Sequence, residues 1–104
     1  MKRVCFTLRI RKDKIEAYLA AHKVWPELLE AIREAGIRNY SLFMGKDGLA
    51  VGYFEADDPD EALRRMCQTD VNRRWQEKMA EFIEGGGDLK KGGVTWLEPY
   101  FYLA

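Results

Sequence analysis

Apolar and polar residues alternate from Val4 to Arg11. Val4, Phe6, Leu8 and Ile10 fall on one side, and Cys5, Thr7, Arg9 and Arg11 on the other. A period of two predicts a half-buried strand. Its second face is mixed rather than charged, so part of it is expected to be covered. The period then lengthens: Ile15, Tyr18, Leu19, His22 and Trp25, continued by Leu28, Leu29 and Ile32, recur at helical spacing. Asp13 is placed to cap this helix, with Glu16 completing a variant capping box. Pro26 interrupts it, because proline has no N–H to donate and disfavours helical geometry in the residue before it. The pattern predicts one kinked helix or two short helices meeting at Trp25–Pro26, with Gly36 as C-terminal cap.

The stretches Ile37 to Met44 and Leu49 to Glu55 read as strands, joined by the turn "GKDG" into an antiparallel hairpin. A helix follows with Asp58 as cap and Pro59 at its first position. Asp70 reads as a new cap after a break at Thr69. Val71, Trp75, Met79, Phe82 and Ile83 then share one face, and "GGG" at 85–87 ends the helix. Residues 85–93 form a Gly/Lys-rich loop, and Val94 to Leu103 a last extended segment broken near Pro99. The element order is β-α-β-β-α-β, a ferredoxin-like α+β sandwich, in a single domain over residues 1–104. One face of such a sheet lacks helices. Trp96, Tyr100, Phe101 and Tyr102 are available to cover it, and a homodimer is the simplest way to bury them.

Charge narrows the possible partners. Lys plus Arg and Asp plus Glu are 17 each, a formal net charge of zero, which gives no footprint for nucleic acid or an anionic membrane. The basic pairs Arg64–Arg65, Arg73–Arg74 and Lys90–Lys91 lie near acidic residues and read as solvated faces. The first residues carry no signal-type apolar run, and no stretch approaches a membrane span. Cys5 and Cys67 have no metal or redox spacing and read as reduced, buried residues of a cytoplasmic protein. One histidine and no Cys or Asp cluster leave no ordinary metal ligand set. No glycine-rich nucleotide motif occurs. Neither metal nor cofactor is expected.

His22, the only histidine, is the residue that raises a question of chemistry. Tyr18 lies four residues before it on the same helical face, and Trp25 three after. Imidazole changes charge between pH 5 and 8 and serves equally as a packed core group or an acid/base catalyst. The break at Trp25–Pro26 favours a cleft there, and Tyr and Trp suit a carbohydrate-facing wall. Taken alone, Tyr40 and Trp75 read as core aromatics and Asp70 as a cap. The residues by themselves reach a small α+β dimer with an aromatic, single-histidine pocket and no named substrate.

The stretches "YLAAHKVWPELLEAIREAGIRNYSLF" and "TDVNRRWQEKM", with "FYL" near the end, resemble the L-rhamnose mutarotase family along the whole chain. The resemblance implies a ferredoxin-like dimer of α/β-barrel type that interconverts the α and β anomers of L-rhamnose. It implies His22 as proton donor, and Tyr18, Tyr40 and Trp75 at the sugar. Family members often carry a second Trp after the first; here that position is Gln76, which trades stacking for amide hydrogen bonds. Ring opening needs a proton at the ring oxygen and one removed from the anomeric hydroxyl, and one imidazole serves both directions. Tyr18, Tyr40 and a water held by tyrosine are the candidates for the second proton carrier, the water being preferred. Trp75 is favoured as the sugar contact and Trp25–Pro26 as the scaffold beneath. Two other readings stay open: an oxygenase or haem-binding protein of the same fold class, and a non-catalytic sugar-binding module.

Overall fold

The computed structural model describes residues 1–84 and 94–104; the expected "GGG" helix end, the Gly/Lys-rich loop and Lys90–Lys91 lie outside them. Strands β1 (Lys2–Arg9), β2 (Arg38–Met44), β3 (Leu49–Ala56) and β4 (Val94–Leu97) form one antiparallel sheet in the order β2-β3-β1-β4. Helices α1 (Ile15–Ala21) and α2 (Pro26–Glu34) connect β1 to β2, and α3 (Pro59–Cys67) and α4 (Asp70–Met79) follow β3. The expected β-α-β-β-α-β order therefore holds, with each helical stretch split into two short helices. Among the described residues no helix is long and apolar enough to cross a membrane.

Strand pairing sorts the side chains into rows. Leu42, Gly52, Phe6 and Trp96 lie side by side across the sheet, and Met44, Ala50, Leu8 and Val94 form the next row. Phe6, Ala50, Phe54 and Val94 of this face are buried in one core with Tyr18, Leu28, Met66, Trp75 and Met79 of the helices. The α4 stripe continues through Phe82 to Ile83, which bridges to Ile10 just beyond β1. Gly52 is a close approach: a Cβ there would fall among the Phe6 ring atoms, so only glycine lets that ring lie flat across β3. The opposite face carries Cys5, Thr7, Phe43, Val51, Tyr53 and Leu97.

Helix ends follow local chemistry, with some departures from expectation. Asp58 caps α3 through its carboxylate, which accepts the Glu61 N–H at 3.2 Å. Gly36, at φ 93°, ends α2: its N–H donates to Arg33 and that of Ile37 to Ile32, a Schellman arrangement. Asp13 does not cap α1. It sits in a single 3-10 turn, Lys12–Lys14, closed by Lys14 N–H on the Arg11 carbonyl, and α1 starts without a side-chain cap. Thr69, not Asp70, caps α4: its hydroxyl accepts the Asn72 N–H at 3.3 Å. Asp70 stands at the first helical position, where its carboxylate pairs with Arg73 and Arg74 instead.

The apolar stripe overshoots as well. Leu19 and Leu29 are exposed, because each lies at the edge of an apolar arc that the short helices do not bury entirely. Cys67 is exposed at the end of α3 rather than buried, and Cys5 is half-buried; both are free. Trp96 belongs to the helix-facing row, 5.4 Å from the Phe6 ring, and not to the open face.

The close fit at Gly52 gives a test of this packing. Gly52→Ala forces the Phe6 ring off its seat, and overpacking of this kind costs about 1–3 kcal/mol. Urea unfolding should show that loss, with a perturbed near-ultraviolet signal from the aromatics around Phe6.

Candidate active site

The helix break is longer than the proline alone requires. Helix α1 stops at Ala21, and His22 to Trp25 run non-helically before α2. Trp25 is extended, at ψ 142°, as the residue before proline must be. His22 has φ −80° and ψ 64°, and the Lys23 N–H donates to the Ala21 carbonyl at 2.8 Å. That is an inverse γ-turn with His22 at its centre. The turn frees the imidazole from the helix while keeping it one turn beyond Tyr18, whose ring centroid is 5.5 Å away. On its other side the Trp75 ring meets it edge-on at 5.4 Å. No hydrogen bond joins the imidazole to any described residue, so its grip on the protein is through ring contacts.

His22, Tyr18, Tyr40, Trp75 and Gln76 all line one cavity of about 150 Å³ between the helices and the helix-facing side of the sheet. A cleft of about 570 Å³ shares His22, Tyr40 and Trp75 with it. Five residues singled out in the sequence thus meet at one place. Asp70 does not join them; it is a surface ion-pair partner. Trp25 stands behind the wall, packed edge-on against Trp75 at 5.2 Å. The Arg74 guanidinium lies 5.7 Å and the Lys78 ammonium 5.4 Å from the Trp25 ring. Lys78 also reaches the Ala21 carbonyl at 3.5 Å, tying α4 to the end of α1.

Tyr40 reaches the cavity because β2 is irregular. The pairing with β3 slips by one residue between Arg38 and Ser41. Without that bulge Tyr40 would stand opposite Tyr53, on the open face. With it, Tyr40 turns to the helix side and packs on Phe54 at 5.7 Å. Asn39 absorbs the slip at φ 52°, a left-handed conformation asparagine tolerates. Its side-chain amide donates to Glu55 at 2.7 Å, and the Tyr53 hydroxyl donates to the other carboxylate oxygen at 2.6 Å. These two donors hold the Glu55 carboxyl below its ordinary pKa, the tyrosine contributing most.

Sequence reasoning missed Phe6, Asn72 and Trp96 as cavity residues. The alternation of β4 puts Val94 and Trp96 on the same face, which would have revealed Trp96. Asn72 lies three residues before Trp75 on the same helical face, the spacing that would have revealed it. Among the described residues no group of three or more His, Cys, Asp or Glu could hold a metal.

Both phenols are pushed away from ionisation. Burial raises the Tyr18 pKa. For Tyr40, burial is the larger cause and the neighbouring Tyr18 phenol the smaller, and together they push it up to about 12. Tyr40 is 42% exposed over the whole residue, so the desolvation concerns its hydroxyl end more than its full surface. At neutral pH both groups are hydrogen-bonding phenols and not bases.

A sequence profile of the L-rhamnose mutarotase family matches residues 3–103. Relatives include the L-rhamnose mutarotase of Bacillus subtilis (strain 168), 33% identical over 105 residues, with 99% of each chain covered. That of Burkholderia orbicola (strain MC0-3) is 33% identical over 104 residues, again with 99% of each chain covered. Among solved structures, an L-rhamnose mutarotase from Formosa agariphila superposes with a TM-score of 0.82 over 100% of both chains, at 20% identity. An antibiotic biosynthesis monooxygenase gives 0.61 at 20% identity, over 96% of this chain and 99% of the other. Both structural likenesses concern the fold.

The raised phenol pKa has a pH signature. Below pH 10 Tyr40 is protonated in folded and unfolded chains alike, and its stability contribution is constant. Above that the unfolded phenol ionises first, so stability falls as pH rises from 10 towards about 12. Tyr40→Phe should flatten this part of the urea-midpoint profile; an unchanged slope would mean that the Tyr40 phenol is not desolvated.

Proposed function

The chain belongs to the L-rhamnose mutarotase family, and we propose that it interconverts the α and β anomers of L-rhamnose by acid/base-catalysed ring opening and closure, with His22 as proton donor. The observation that carries this reading is the imidazole itself. It lies at a cavity wall, aimed by a γ-turn and two aromatic rings, with neither nitrogen committed to the described protein.

Opening protonates the ring oxygen, removes the proton of the anomeric hydroxyl and breaks the bond between that oxygen and the anomeric carbon. The aldehyde carbon rotates, and the reverse transfers close the ring on its other face. No cofactor enters this sequence. His22 gives the proton on opening and takes it back on closing. Tyr18 and Tyr40, kept neutral, donate hydrogen bonds to sugar oxygens or to a water that carries the second proton. Trp75 offers an apolar wall to the sugar's C–H surface and methyl group. Gln76 binds the sugar beside it.

The partner that fits the open face of the sheet is a second copy of the chain. Phe43 is 64% exposed there, and the terminal Tyr100 is 97% exposed, with Phe101, Tyr102 and Leu103 alongside it in sequence and mostly exposed. Arg3 holds this tail through the Phe101 carbonyl at 3.4 Å and the Tyr102 ring at 4.7 Å. An exposed apolar face of this kind suits a twofold dimer. The free cysteines agree with a reducing cytoplasm as its setting.

Saturation transfer between the α and β anomeric protons of L-rhamnose tests the chemistry. The protein should accelerate exchange, and His22→Ala should lower that acceleration by about 10²–10⁴-fold, the range of positioned acid/base groups, with sugar binding retained. Tyr18→Phe should cost less, since the ring stays. No acceleration at any pH from 5 to 8 would exclude the mutarotase reading. The dimer is tested by sedimentation equilibrium: Phe43→Asp should weaken association by about 30-fold or more, as for a buried aromatic anchor, and a wild-type chain that stays monomeric would refute it.

A further inference from the structure

Helix α4 presents Asn72, Trp75, Gln76 and Met79 to the cavity, at the spacing of a single helix face. Trp75 and Met79 are buried and apolar. Asn72 and Gln76 are half-buried, one turn apart, on the same face. Among the described residues neither side-chain amide has a hydrogen-bond partner. The Asn72 backbone N–H is taken by Thr69, but its carboxamide is not. No half-buried or buried residue described has a side-chain nitrogen or oxygen that is both fully buried and unpartnered, so the two amides open onto accessible space.

Nothing on their own helix competes for them. The flanking Arg73 and Arg74 are occupied with Asp70, Glu77 and Glu27 on the outer surface. Leu63, Met66 and Met79, which line the same cavity, carry no strong hydrogen-bonding group. A carboxamide carries an acceptor and two donors in one plane, and a sugar hydroxyl carries one donor and two acceptor positions. Two such amides in an otherwise apolar wall form a site for a pair of neighbouring hydroxyls.

We infer that Asn72 and Gln76 form a two-amide edge that binds the 3- and 4-hydroxyls of the sugar and so makes them specificity-determining residues of this pocket. The assignment rests on the mutarotase reading above. With the anomeric carbon and ring oxygen at His22, the 3- and 4-hydroxyls are the part of the pyranose that points away from the imidazole. Trp75, whose ring meets His22 edge-on at 5.4 Å, stands between the two amides in the sequence of the same helix and lines the cavity with them.

The test is a double-mutant cycle between protein and substrate, read as kcat/KM for anomerisation by saturation transfer. The sugars are L-rhamnose and its 3-deoxy and 4-deoxy derivatives. The proteins are the wild type, Asn72→Leu and Gln76→Leu, with Asn72→Ser and Gln76→Met in place of any variant whose melting curve shows it unfolded. In the wild type each lost hydroxyl should reduce kcat/KM by about 2- to 10-fold, the worth of one neutral hydrogen bond. In each variant the loss of one matching hydroxyl should cost nothing further, while the other still costs its full amount. Since His22 is untouched, the pH profile of kcat should not move. Deoxy penalties equal in wild type and variants, or absent from the wild type, would overturn the amide assignment while leaving mutarotase activity intact. A wild type that fails to accelerate L-rhamnose exchange at all would overturn the mutarotase reading, and this assignment with it.

Discussion

Proline's effect on the residues before it organises the site. Pro26 can begin a helix but cannot sit inside one, and it drives Trp25 into an extended conformation. The chain between Ala21 and Pro26 therefore has no helical option for its last residue, and it uses the freedom to turn at His22. The γ-turn there places an imidazole where a continuous helix would have left one more apolar contact. Helix α2 then starts afresh, with the Leu29 N–H donating to the Trp25 carbonyl at 3.0 Å. The His22 side chain is thereby supported on both sides by rigid elements and belongs to neither.

Aromatic contacts make that turn a defined geometry. Tyr18, His22, Trp75 and Trp25 follow one another with centroid separations of 5.2–5.5 Å. Tilted and edge-to-face pairs contribute about 0.5–1.5 kcal/mol each beyond the burial of their surface. Arg74 and Lys78 cover the outer end of the series at Trp25. On the facing wall the β2 bulge, held by Asn39 and Glu55, performs the same service for Tyr40. The two phenols and the imidazole are presented by three different elements, which is why none of them is isolated by its local sequence.

Much of this was legible beforehand, and the exceptions have physical causes. Alternation in β1, the glycine turn before β3 and the Asp58–Pro59 helix start are local effects, and they gave the element order. The end of α2 at Gly36 is local as well. What periodicity could not resolve is competition between neighbouring candidates. Thr69 and Asp70 both cap well, and Asp70 was drawn instead to two arginines on its own helix. Asp13 lost its role to a backbone turn. Trp96 parts from the terminal aromatics because the strand ends at Leu97, before Pro99, and its pairing with Phe6 turns Trp96 to the helix side. The site residues came from the family resemblance; geometry adds the γ-turn and the bulge, which depend on pairing between distant strands and helices and leave only Pro26 and Asn39 as local traces.

Among the described residues no group hydrogen-bonds the imidazole, and this has a further consequence. In many acid/base sites a carboxylate or carbonyl holds one ring nitrogen and thereby chooses the tautomer. Here the aromatic neighbours set where the ring lies, and no described residue holds either of its nitrogens. In the proposed mechanism such a carrier is reset by whatever it meets, sugar or water, and needs no internal relay to restore it between turnovers. For a reaction whose forward and reverse directions are the same two transfers in opposite order, an unbiased ring serves either anomer from the same resting state.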